Sequence, residues 1–83
     1  MNKRIGLVCV AIKDRQHAAK KVNEILSQYG EIVVGRIGVP YKDRGVSIIG
    51  LIIEASTDQL GSMTGKLGML ENVQVKSLML ELE

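Results

Sequence analysis

His17 and Cys9 are the chain's one histidine and one cysteine. Zinc-type centres take three or four ligands from Cys, His and carboxylates. A single His and a single Cys fall short of that set, so neither a metal nor a cofactor is expected. His17 would need acids or another His17 across a subunit interface. Cys9 falls midway along an apolar run, where a thiol behaves as a small hydrophobe. Ser47, Ser56, Ser62 and Ser77 have no base placed to make a hydrolytic triad. The stretch Gly61-Ser-Met-Thr-Gly-Lys-Leu-Gly looks superficially like a phosphate loop, but its spacing is wrong and it lies inside a helical pattern. With no catalytic set visible, the chain reads as a non-enzyme.

One local cluster has ligand chemistry. Lys13-Asp14-Arg15-Gln16 stands where a strand hands over to a helix, so free helix amides point outward beside a guanidinium. A small acid or anion fits such a turn. Asp14 also reads as the helix cap, its carboxylate accepting from the amides of the next turn. Arg36 and Arg44 read as solvated charges or as ligand clamps.

The elements that position these residues follow from period and punctuation. Residues 3–13 are an apolar run flanked by charge, a strand with two buried faces. Ala18, Val22, Ile25, Leu26 and Tyr29 recur at helical spacing, and Gly30 is placed for a left-handed C-terminal cap. Residues 31–41 make a weaker strand; Gly35, Gly38 and Pro40 suit a sheet edge. Residues 40–45 read as a hairpin turn. Residues 45–55, Gly-Val-Ser-Ile-Ile-Gly-Leu-Ile-Ile-Glu-Ala, form the central strand, apolar on both faces. Ser56-Thr57-Asp58-Gln59 has the spacing of a capping box, and Leu60, Met63, Thr64, Leu67 and Leu70 continue as a helix. Gly61 and Gly65 each cost that helix about 1 kcal/mol against Ala, which predicts a compensating close contact. Gly68 or Asn72 ends it, and residues 73–82 make the last strand. The order βαββαβ with right-handed crossovers predicts an α+β, ferredoxin-like fold, a four-stranded antiparallel sheet with two helices on one face. The other sheet face is left apolar and uncovered, so sheet-to-sheet or edge-to-edge self-association is expected, as a dimer or tetramer.

Composition narrows the partners. Eighty-three residues make a single domain, residues 1–83, with an aliphatic core, since Trp and Phe are absent and Tyr29 and Tyr41 are the aromatics. A net charge of +2 with dispersed basic residues does not call for nucleic acid, and a sheet without aromatics does not suit RNA stacking. No apolar run approaches the roughly 20 residues of a membrane span and no signal peptide precedes the first strand, so a cytoplasmic protein is expected.

Two resemblances add to this reading. The Lys13-Asp14-Arg15 turn followed by Ala18, Val22, Ile25 and Leu26 resembles the opening of an ACT-type regulatory domain, with Gln16 and His17 where a Pro-Gly pair is common. Residues 35–41, 45–49 and 57–68 resemble the small proteins described as iron-only hydrogenase system regulators, over nearly the whole chain. That family is similar in fold to the ligand-binding half of the nickel-responsive repressor. The repressor's several metal-binding His are not matched here. A first strand beginning near residue 3 leaves no place for its DNA-binding segment, so neither nickel sensing nor autonomous DNA binding carries over. The ACT resemblance implies an effector held between the Lys13, Asp14, Arg15 and Gln16 turn and a neighbouring subunit's strand at Gly35 and Arg36. Two other functions fit the same fold. One is a protein that docks its apolar sheet face on a larger enzyme or maturation factor. The other is an acylphosphatase-like enzyme, for which Arg15 and Asn23 are the sole candidates, with Asn23 on the helix rather than in an anion-cradling loop.

Overall fold

Alternation of buried and exposed positions along two paired strands organises the molecule. The computed structural model describes residues 2–13 and 15–82, and of Arg15 and Gln16 the backbone alone. Strand β1 (Arg4–Ile12) turns Val8, Val10 and Ile12 inward, and strand β3 (Val46–Ala55) does the same with Ile49, Leu51, Ile53 and Ala55. The two pair antiparallel, with Leu7 opposite Ile52 and Cys9 opposite Gly50. Strand β2 (Val33–Tyr41) joins the free edge of β3, and β4 (Val73–Met79) joins that of β1, giving the sheet order β2-β3-β1-β4. Helices α1 (Arg15–Gln28) and α2 (Thr57–Gly68) complete the α+β, ferredoxin-like fold expected from the element order.

The core lies between the sheet and the helices. Ala18, Val22 and Leu26 of α1 and Leu60, Met63 and Leu67 of α2 are buried against the inward residues of β1 and β3. Ile25, Tyr29 and Leu70 flank them, partly exposed. Gly6 seals one edge. A Cβ there would stand 2.6 Å from the Leu78 carbonyl oxygen, so no larger residue fits while β1 and β4 stay paired.

Several local expectations hold. Ser56 and Gln59 make a reciprocal capping box, the Gln59 amide donating to Ser56 Oγ at 3.1 Å and the Ser56 amide to Gln59 Oε1 at 2.9 Å. Pro40 sits on an edge strand, as expected of a residue without a backbone donor. The hairpin is a short 3-10 turn, Lys42–Arg44, closed by Gly45 in the left-handed region at φ 68°.

Others are corrected. Gly30 does not cap α1 in the left-handed region; among the described residues only Gly45 and Asn72 have positive φ. The chain instead tightens into a 3-10 turn, Gly30–Ile32, which sends Ile32 into the core and delays β2 to Val33. The last strand stops at Met79 rather than Leu82. A register shift between Val33 and Gly35 bulges the edge strand at Val34. Gly61 and Gly65 have no close neighbour, since a Cβ at either would meet nothing within 4 Å. Asp14, expected to cap α1, lies outside the described residues.

Candidate functional site

The residues with ligand chemistry are divided between one end of the sheet and its middle. Lys13 follows β1, and its backbone amide donates to the Asn72 carbonyl at 2.8 Å, tying the β1–α1 turn to the turn before β4. Beside it, His17, Lys21, Glu71 and Asn72 line a hollow of about 220 Å³. Asp14 and the side chains of Arg15 and Gln16, which would complete this turn, lie outside the described residues.

Gly35 is far from this turn. It pairs with Ile52, which pairs with Leu7, six residues before Lys13 along β1. At roughly 3.3 Å per residue, the two parts of the expected site are about 20 Å apart within one chain. Arg36 opposes the inward Leu51, which puts it on the helix side of the sheet. There its Nη2 donates to Asn23 Oδ1 on α1 at 2.6 Å. That pairing engages Asn23, the water-orienting candidate of the acylphosphatase reading, whose Nδ2 also donates to the Ala19 carbonyl at 3.0 Å. Among the described residues, no three His, Cys, Asp or Glu side chains come together as metal ligands would.

A shallow, mostly apolar hollow lies on the side of the sheet away from the helices. Leu7, Cys9, Gly35, Ile37, Gly50 and Ile52 line it, and its volume is about 450 Å³. It exists because Gly35 and Gly50 present no side chains between the flanking ones. Around it Leu7 is 46% exposed, Ile52 47%, Leu78 51% and Ile37 64%. Ile5, Val39, Tyr41 and Leu80 extend the patch.

A third cluster escaped the sequence reading. The Tyr29 hydroxyl is 2.6 Å from Ser62 Oγ, and Lys66 Nζ lies 5.2 Å from the centre of the Tyr29 ring and donates to Gln28 Oε1 at 3.3 Å. The Ser62 hydroxyl and then the Lys66 ammonium stabilise the phenolate, lowering the Tyr29 pKa from its ordinary 10.0. The cluster links the two helices. Its two halves, Gln28 with Tyr29 and Ser62 with Lys66, are joined by pairs 33 and 38 residues apart, and no motif marks them.

With this geometry in place, the likeness to known proteins becomes informative. Residues 4–77 match the family model described as "TM1266-like: Iron-only hydrogenase system regulator, putative". The chain belongs to this family. Its solved relative TM1266 of Thermotoga maritima, described as an uncharacterized protein, is 32% identical. The match covers 96% of this chain and 100% of that one, with a TM-score of 0.93. Family membership therefore extends over the whole βαββαβ unit, the hollow and the β1–α1 turn included. A protein of unknown role from Galdieria sulphuraria is 12% identical with a TM-score of 0.65, covering 99% of this chain and 47% of that one. It shares the fold alone. No curated protein matches the chain. Among the described residues, no helix is long and apolar enough to cross a membrane.

Proposed function

We propose that this chain is a non-enzymatic regulatory module of the iron-only hydrogenase system that works as a cytoplasmic homo-oligomer and binds a small effector between subunits. The family carries the regulatory part of this reading. The observation that carries the intersubunit part is the separation of the site's halves. Lys13 lies at one end of the sheet, and Arg36 and Gly35 lie roughly 16–20 Å along it, near its middle. A site using both is completed by β2 of a second copy. Arg15 supplies a planar fork for a carboxylate there, while Gly35 lets the ligand approach the strand backbone closely.

The test starts with a thermal-shift screen of small carboxylates, since a ligand that binds only the folded chain raises its melting temperature by mass action. The first acid to do so is titrated calorimetrically into the parent and into Arg15→Ala. A charge-assisted hydrogen bond is worth about 1.5–3 kcal/mol, so affinity falls roughly ten- to a hundredfold in the variant. Equal affinities remove the turn from the site. A second reading, docking on a larger enzyme or maturation factor, is favoured by the apolar outer face of the sheet.

A further inference from the structure

The outer face of the sheet is made for something apolar, and its own details select the occupant. Strand positions pointing away from the helices carry Ile5, Leu7, Cys9 and Ala11 on β1, Ile37, Val39 and Tyr41 on β2, and Val46, Ile48 and Ile52 on β3. On β4 they carry Gln74, Lys76 and Leu78. One acid and one base stand among them, Glu54 and Lys76. A face so nearly neutral exerts no pull on a strongly charged partner, whereas two copies bring an acid and a base each to a shared interface.

Shape makes the same selection. A two-fold contact is isologous, so the same patch must supply both the projection and the recess that receives it. This face has both, side by side. Ile37 is the most exposed of its large side chains, and the hollow floored by Gly50 and Cys9 opens next to it. Size is also adequate. Four strands about 4.8 Å apart, paired over seven to nine residues, make a face of roughly 19 by 25 Å. Two such faces remove on the order of 1,000 Å² from water, the lower bound for a specific interface.

We propose that the outer sheet face, centred on Ile37, Gly50, Cys9, Ile52 and Leu7, is the surface on which two copies of this chain pair, sheet against sheet. This rests on the homo-oligomeric reading above and names the surface it uses. Pairing places Cys9 at the centre of a dry contact. The thiol is exposed in the single chain and is the sole cysteine, so it reports coverage directly.

The experiment has two arms. In the first, light scattering at micromolar concentration measures the mass of the parent, of Ile52→Lys and Leu7→Lys, and of Asp58→Lys on the outside of α2. In the second, N-ethylmaleimide labelling of unmodified protein is followed by mass spectrometry across a dilution series, which needs no variant to fold. The expected result is a parent of at least twice the chain mass, preserved in Asp58→Lys and lost in the two sheet variants, whose circular dichroism stays that of the parent. Cys9 then labels at least tenfold more slowly in concentrated parent than after dilution. A parent oligomer that survives both sheet substitutions, or whose Cys9 labels at the rate of a free thiol, overturns the face and leaves the homo-oligomeric reading standing. A parent that stays monomeric with a reactive Cys9 overturns both, and assigns the patch to a different protein.

Discussion

Replacing Gly61 and Gly65 by alanine should stabilise the protein, and by an amount the structure fixes. Both lie inside α2 and both are exposed. Glycine costs a helix interior about 0.8–1.0 kcal/mol relative to alanine, through the backbone freedom it loses on folding. A methyl added at either position meets nothing within 4 Å, so no steric term offsets that gain. The double variant should gain about 1.5–2 kcal/mol. For a domain of this size each kcal/mol moves the melting temperature by about 4–8 °C, so the rise is roughly 6–16 °C. Thermal and urea unfolding followed by circular dichroism, at one fixed protein concentration, measures it. An unchanged or lowered melting temperature refutes the reasoning, because it means the methyls do meet something. The neighbour would then be another copy seated on α2, and self-association would use the helix layer rather than the sheet.

Three further outcomes are expected. Ser56→Ala removes the capping box at the start of α2 and should cost about 0.5–2 kcal/mol in urea unfolding, while Thr57→Ala, one residue on, costs less. In an ultraviolet titration Tyr29 should ionise below 10.0 in the parent and move back up in Ser62→Ala and in Lys66→Met. Because its folded value is the lower one, the linked stabilisation is present above the unfolded value and is lost as pH falls through the folded one. Elemental analysis of purified protein should find no stoichiometric transition metal, and about one per chain would place His17 in an intersubunit site.

What the sequence disclosed, and what it withheld, divides along the range of the interactions. The inward strand faces, the Ser56 cap and the hairpin ahead of the central strand are set by period and by neighbours a few residues away, and all were legible. The end of α1 was not. Gly30 satisfied the local rule for a left-handed cap, but the 3-10 turn Gly30–Ile32 puts Ile32 in the core, and that tertiary gain decided the conformation. The bulge at Val34 was equally silent, since it depends on the register against β3. Arg36 was legible as a charge and not as the partner of Asn23, because the pair is made across the helix–sheet interface. The Tyr29–Ser62–Lys66 cluster depends on how α1 lies beside α2, which helical periodicity leaves open. Of the candidate site, the sequence showed the charges at the Lys13 turn and the open strand at Gly35. That one lies at an end of the sheet and the other near its middle required the register.

The two glycines of the central strand pair carry the clearest statement of where this chain's own packing stops. Gly6 lies on the helix side, and a Cβ there would stand 2.6 Å from the Leu78 carbonyl oxygen and 2.9 Å from Met79 Sδ, with Ile53 Cδ1 at 3.2 Å. Backbone and side chains already fill that space, so glycine is required by contacts within the chain. Gly50 lies on the opposite side, where a Cβ would touch Ile37 Cγ2 at 3.3 Å and nothing else within 4 Å. No neighbour in its own chain demands a glycine there, because Ile37 is largely exposed and has room to turn aside. Yet glycine in a strand interior costs backbone entropy and contributes no packing. The cost is offset if the recess it leaves is filled from outside. In the proposed pairing of two copies, that recess and the projecting Ile37 at its rim are what each copy would offer the other.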